Sequence, residues 1–310
     1  MPNSTAMNVS SARGLTVVMP IGHLKNDFDN ILRVSEECQM NSFKLILILD
    51  DQPLDLETML LKSLSEKSGD LSMVKSGIWR NPGAARNYGL TFCSTDWVAF
   101  WDSDDSPNFE GVSRLLAELN SGLYDVGLGE FQMSKNDELL NEGYHYITNP
   151  IERLEVRIIA NPGVWRFIFN RNFVNGIDFA ENSSAEDQLY LQRLFALLPR
   201  IKISNEKIYT YVVGGEFQLT RSEIVAEQTL KVLQIGVGEI SSEPKEFAGI
   251  RIGLIIKQLV SVLKHGNIWQ LVSAIRLSWQ LLAKVGTRGF LQGARLFYRA
   301  KKNGVYFCGA

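Results

Sequence analysis

Three carboxylates in four positions, Asp102-Ser103-Asp104-Asp105, follow directly on the apolar run Trp97-Val98-Ala99-Phe100-Trp101. Carboxylates spaced this way at the C-terminal edge of a strand can share one hard divalent cation, and that cation can hold a diphosphate. The same spelling also makes a solvated, Asp-rich turn. A second cluster is Asp50-Asp51, placed after the run Leu45–Leu49. A carboxylate there can accept hydrogen bonds from ribose hydroxyls or a base N–H, or it can cap a helix. A third is Arg80-Asn81-Pro82-Gly83-Ala84-Ala85-Arg86-Asn87-Tyr88-Gly89. Its small residues let backbone approach a ligand, a helix N-terminus favours phosphate, and Arg86 adds a fixed cation or pairs with a structural Asp. The fourth is Glu186-Asp187, either dipole partners in a first helical turn or a general base within reach of an acceptor hydroxyl.

The elements that must position these residues alternate. Leu15–Ile21, Lys44–Leu49, Leu71–Lys75, Trp97–Trp101 and Tyr124–Phe131 read as strands. Leu24–Met40, Leu54–Lys67, Pro82 to about Phe92, and Phe109–Asn120 read as helices between them. Such β-α repetition predicts a mainly parallel sheet with helices on both faces, whose ligands bind beyond the C-terminal strand ends. Residues 134–160 are polar and irregular. Trp165–Phe169, a helix over Glu186–Leu197 and a strand over Ile208–Val213 then restore the pattern. From Ile250 onward two or three helices interleave apolar and basic residues.

At 310 residues, with 45% hydrophobic and 21% charged residues, the chain has the composition of a folded globular protein. Cys38, Cys93 and Cys308 form no paired motif, and only three histidines accompany them, which argues against structural zinc and fits a reducing, cytoplasmic setting. No run reaches the length of a membrane-spanning helix, and residues 1–14 read as a loose polar tail. The net charge of −2 hides a split: residues 1–244 carry 21 Lys and Arg against 33 Asp and Glu, whereas residues 245–310 carry 11 against one.

In their order and spacing these residues resemble the inverting glycosyltransferases of family 2, which have the α/β GT-A fold. The likeness runs from Leu15 to Arg221, through Pro20, Asp50-Asp51, Asn81-Pro82-Gly83, Ala85-Arg86-Asn87-Tyr88-Gly89, Asp102-Ser103-Asp104-Asp105 and Glu186-Asp187. It implies a nucleotide-sugar half over 15–132, an acceptor half over 133–221 and a helical region over 222–310. It also assigns roles. Pro20, Asp50, Asp51, Asn81 and Gly83 line the nucleotide site. Asp102 and Ser103 face the ribose and donor sugar, and Asp104 with Asp105 binds Mn²⁺ or Mg²⁺. Arg86 holds the acidic loop or the diphosphate, and Asp187, with Glu186 beside it, is the catalytic base. Trp165 and Arg166, after Asn161-Pro162-Gly163-Val164, match the acceptor side. There Trp165 either stacks on a sugar or fills the core. Gly214–Arg221 occupies the place of a late loop over the diphosphate, with Thr220 or Arg221 as its polar contact. Two positions depart from the family pattern: Gly22-His23 after Pro20, and Gln218 in the late loop.

The implied activity is metal-dependent transfer from a nucleotide-sugar, by family habit a UDP-sugar, to a saccharide or lipid-linked acceptor in cell-surface polysaccharide synthesis. A haloacid-dehalogenase-type phosphatase also places Asp-x-Asp after an apolar strand, and a non-catalytic saccharide-binding relative is a further alternative. The basic stretch 250–302, with Trp269, Trp279 and Phe290, fits either an anionic membrane surface or a helical cap packed on the protein or on a second copy. It lacks a nucleic-acid-binding motif.

Overall fold

The computed structural model describes residues 14–67, 72–135, 138–140, 150–213, 224–240 and 246–303. Its centre is a nine-stranded sheet in the order β3-β2-β1-β4-β8-β6-β9-β5, with β7 paired to β6. Strands β1 (Leu15–Ile21), β2 (Lys44–Asp50), β3 (Ser72–Gly77) and β4 (Trp97–Phe100) are all parallel, as the alternation predicts. The other half adds antiparallel pairings to this mainly parallel sheet. There β8 (Phe167–Asn170) runs antiparallel to both β4 and β6 (Val126–Lys135), while β6 and β9 (Ile201–Val212) are parallel. The short β5 (Ser106–Pro107) and β7 (Glu138–Leu140) close its edges.

Strand side chains alternate between two cores. Val17, Met19, Leu45, Leu47 and Leu49 pack with α1 (Leu24–Met40), α2 (Leu54–Lys67) and α4 (Phe109–Ser121). Val18, Ile46 and Ile48 face the other way, toward α3 (Pro82–Leu90), α5 (Pro150–Ala160) and α7 (Glu186–Ala196). This period of two explains why β1, β2 and β4 read as unbroken apolar runs, with both faces covered, whereas the edge strand β3 does not. Helix α5 lies inside the stretch that sequence reading left irregular, and the short α6 (Arg171–Val174) follows β8.

Three further helices, α8 (Ile224–Glu239), α9 (Ala248–His265) and α10 (Ile268–Asn303), form the C-terminal layer, and α10 breaks at Gly286, whose φ of 69° suits glycine. Helix α9 is apolar nearly all round: Ile250 and Leu254 join the sheet core, while Ile252, Ile255 and Leu259 join a core shared with α8 and α10. Lys257 donates to the carbonyls of Ile159 and Ala160 at 2.9 and 2.7 Å, capping α5. Lys284 does the same for Val237 and Gly238, at 2.8 and 2.7 Å, in the last turn of α8. Cations at helix C-termini meet unpaired carbonyls and the negative end of the dipole. Two of the basic residues of this stretch are therefore spent as helix caps, and α9 is buried over most of its length, opening to solvent only in its last turns.

Glu155 on α5 is 6% exposed beneath the start of α9, and burial raises its pKa to about 7 from an ordinary 4.5. Because the folded value lies above the unfolded one, its contribution is fully present below about pH 4.5 and is lost as pH rises through 7. We expect Glu155→Gln to be more stable than wild type at pH 8, by about 1–3 kcal/mol, with a flatter stability profile between pH 5 and 7. Thermal denaturation across pH checks this; a wild-type profile already flat over that window would contradict it.

Candidate active site

The site forms where β1, β2 and β4 end. Asp102 leaves β4 at its C-terminal end, and its N–H donates to the Tyr209 hydroxyl at 3.0 Å. Arg86 on α3, only 3% exposed, donates to Asp102 Oδ1 at 2.6 Å, to Glu186 Oε1 at 2.9 Å and to Asp187 Oδ1 at 3.1 Å. One guanidinium thus joins the acidic loop to the first turn of α7. Burial alone would favour the neutral guanidine, but the carboxylates of Asp187, Asp102 and Glu186 outweigh it and push the pKa up. Arg86 is permanently charged and its side-chain hydrogen bonds go to carboxylates, so of its two expected roles the geometry favours holding the loop.

Asp187 keeps 20% of its side-chain surface open. Its second oxygen accepts the Val164 N–H at 3.2 Å. Burial raises its pKa well above the usual carboxylate range; Arg86 pulls it down, and Glu186 and Asp102 push it up again. Val164 belongs to Asn161–Val164, where Asn161 Oδ1 takes the Gly163 N–H at 3.0 Å and fixes the turn. Part of the segment expected on the acceptor side therefore touches the candidate base directly.

The acidic loop is held from both sides. Ser103 donates its hydroxyl to Asp27 Oδ2 at 2.6 Å, and Asn30 Nδ2 donates to the carbonyls of Ser103 and Asp105 at 2.7 and 2.8 Å. Arg33 reaches Ser106 Oγ at 3.0 Å. Ser103 is buried, so its hydroxyl braces the loop and is not presented to a donor. Asp105 is buried too: Oδ1 accepts the Val212 N–H at 2.7 Å, while Oδ2 is enclosed without a hydrogen-bond partner. Asp104 opens to solvent, yet desolvation by its surroundings and the charges of Asp102 and Asp27 raise its pKa to about 7. Asp27, Asn30 and Arg33 were not foreseen. Their i, i+3, i+6 spacing on α1 was the available signal, but nothing in sequence says what that polar edge meets.

Other expected site residues are placed differently. Gly83 approaches protein, not ligand: a Cβ there would lie 2.1 Å from the Ala180 carbonyl oxygen. Asn81 is the N-cap of α3, accepting the Ala84 N–H at 2.8 Å and donating to Trp79 O at 3.0 Å. Asp50 Oδ1 receives the N–H groups of Trp79 and Arg80 at 2.7 and 3.0 Å, fixing a turn in which Arg80 has φ 61°. Asp51 is exposed beside it, and Pro20 sits in β1 opposite Ile48. Trp165, 3% exposed, stacks on Tyr209 and Tyr211 with ring centroids 4.6 and 5.5 Å away, so it fills the core and does not offer a face to a sugar. Arg166 is fully buried, donates to Arg157 O at 2.8 Å and lies over the Phe131 and Phe167 rings, away from any acceptor. Arg221, Thr220 and Gln218 lie outside the described residues, as does the proposed boundary at 221/222.

A parallel β3-β2-β1-β4 half-sheet, an acidic loop after β4 and a carboxylate at the head of α7 define a GT-A-type transferase. The profile of "Glycosyl transferase family 2" matches residues 23–174. The chain belongs to glycosyltransferase family 2, and the phosphatase alternative falls away. It is 21% identical over 202 residues to glycosyltransferase GlyG of Streptococcus pneumoniae, covering 58% of this chain and 64% of that protein. It is 24% identical over 243 residues to the poly(ribitol-phosphate) beta-N-acetylglucosaminyltransferase TarS of Staphylococcus aureus, covering 75% of this chain and 41% of TarS. The crystal structure of TarS 1-349 with UDP-GlcNAc superposes with a TM-score of 0.67 at 15% identity, covering 94% of this chain and 93% of that one. The mannosyltransferase PcManGT of Pyrobaculum calidifontis, in complex with GDP-Man and Mn²⁺, superposes with a TM-score of 0.55 at 13% identity, over 98% of this chain and 90% of that one. These structural likenesses carry the fold.

Asn87 joins Gly83 in fastening α3 to the segment before α7: its side chain donates to Phe179 O at 3.0 Å and accepts the Phe179 N–H at 2.8 Å. Gly83→Ala must push the 179–187 segment aside. We expect it to lower the turnover number by roughly tenfold or more, because a displacement near 1 Å misaligns a catalytic group. Steady-state kinetics against nucleotide binding checks this; unchanged turnover would show that the close contact does not position α7.

Proposed function

We propose that the chain moves a glycosyl unit from a nucleoside diphosphate-sugar, a UDP-sugar by preference, to an acceptor hydroxyl, with inversion at the anomeric carbon. The observation that carries this reading is the Arg86 bridge, which sets the Asp187 carboxylate beside the donor-side loop. Asp187 takes the proton from the acceptor hydroxyl as that oxygen attacks, and the diphosphate leaves from the opposite face. Its raised pKa suits a base that must work near neutrality. Arg86 favours the ionised form of the carboxylate against burial and orients it, and Val164 N–H fixes its other oxygen. Asp102 keeps surface open toward donor ribose and sugar. Asp50 and Asp51 stand at the nucleoside end.

The donor set also fits a hard cation. Asp104 is open, Asp105 Oδ2 is a buried oxygen without a partner, and both carboxylates are raised by burial and by neighbouring negative charge. Among the described residues no cluster of three or more metal-capable side chains occurs. Mg²⁺ and Mn²⁺ at phosphate-transfer sites are commonly held by one or two carboxylates and completed by substrate phosphates and water. Asp104 and Asp105 would hold the ion, which would neutralise charge on the departing diphosphate.

Relatives named for glycosyl transfer to poly(ribitol-phosphate) support an acceptor in cell-surface polymer synthesis, saccharide or lipid-linked. The chain spans only 64% and 41% of the GlyG and TarS lengths, so the acceptor belongs to this proposal. The reading is tested by nucleoside diphosphate release from uridine, guanosine and thymidine diphosphosugars, with and without chelator. Metal-dependent turnover with one donor class is expected. Asp187→Asn is expected to lower transfer by roughly 10²–10⁴-fold while changing nucleotide affinity little. The wild-type rate is expected to rise with pH as Asp187 ionises. Wild-type transfer by Asp187→Asn would remove it as the base.

A further inference from the structure

The first half of α10 has two apolar faces. Ala274, Leu277 and Leu281 pack inward against α8 and α9. On the opposite side Ile268, Val272, Ile275 and Trp279 recur at helical spacing and stand in solvent, with Trp269 beside them. Trp269 and Trp279 expose 78% and 68% of their surface. Val260 and Leu263, late in α9, are exposed as well. A helix apolar on both faces is ordinarily covered on both, and an exposed apolar stripe of this kind marks a docking surface.

Charge selects what covers it. Residues 247–303 hold ten Lys and Arg and no Asp or Glu. With Lys257 and Lys284 used as helix caps, Arg276 remains exposed on the outer half of α10, Lys264 is exposed in the last turn of α9, just before α10 begins, and Arg288 stands just beyond the break at Gly286. The acids of the adjoining α8 are already paired, Glu227 with Lys231 at 2.9 Å and Glu239 with Arg193 at 2.7 Å. A second copy docked here by symmetry would bring cation against cation with no acid on the face to meet them. An anionic lipid surface instead answers both features: indole rings settle at the headgroup level, and Lys and Arg meet the lipid charge. No described helix is long and apolar enough to cross a membrane, so the geometry is that of a helix lying in the interface.

We propose that the outer face of α10, with Trp269 and Trp279 as anchors and Lys264 and Arg276 as charge contacts, docks the protein on an anionic bilayer. This stands independently of the transfer chemistry. The test is sedimentation of the full chain with vesicles of equimolar phosphatidylglycerol and phosphatidylcholine, and with phosphatidylcholine alone. Binding to the anionic vesicles at low salt, its loss at high salt and a blue shift of tryptophan emission are expected. The double variants Trp269→Ser/Trp279→Ser and Lys264→Glu/Arg276→Glu should each partition roughly tenfold or more weakly. Both should keep wild-type circular dichroism and donor turnover, since neither touches the site. Wild-type protein that ignores anionic vesicles overturns the proposal, as do variants that bind like wild type. Self-association that Trp269→Ser/Trp279→Ser abolishes, without vesicle binding, gives the face to a second copy instead.

Discussion

A single buried cation organises the site. Arg86 is withdrawn from water and held against Asp102, Glu186 and Asp187, residues brought together from β4 and α7 across as many as 101 positions of sequence. Removing one partner of such a buried pair typically costs about 3–5 kcal/mol, because the charge left behind has no solvent to turn to. Burial keeps Asp187 basic, the neighbouring carboxylates Glu186 and Asp102 add to this, and Arg86 holds it in place. Donor side and base side are thereby fixed by the same group.

The rest of the fold reads as what that group requires. Helix α3 must start at a defined point, and the Asn81 cap with Asp50 beneath the preceding turn sets it. It must also lie close to the chain leading into α7, which the missing Cβ at Gly83 permits and the paired bonds of Asn87 enforce. The acidic loop is braced from below by Tyr209 and Val212 of β9 and from the side by Asp27 and Asn30 of α1. Motion in any of these would reach Arg86 within one or two contacts.

The parallel half of the sheet was legible in the sequence because β1, β2 and β4 are apolar on both faces and the strands are separated by helices of ordinary length. The mixed half was not: β8 inserts antiparallel between β4 and β6, a pairing made by long-range packing that no local pattern encodes. At the site, chemistry-bearing residue types were legible and their individual tasks less so. Asp102, Arg86 and Asp187 are brought together. Gly83, Asn81, Ser103, Trp165 and Arg166 looked like ligand contacts because small, capping, hydroxyl, aromatic and cationic residues serve ligands and scaffolds alike. Burial and partners decide between those uses. The basic C-terminal stretch divides in the same way, with Lys257 and Lys284 turned inward and Arg276 left outside.

The most direct measurement is a double-mutant cycle on the transfer rate with Arg86→Met and Asp102→Asn. If Arg86 makes the acidic loop and the base a single unit, the double variant is no slower than the worse single variant, with a coupling of about 1 kcal/mol or more. Independent losses, multiplying to within about 0.5 kcal/mol, would contradict it.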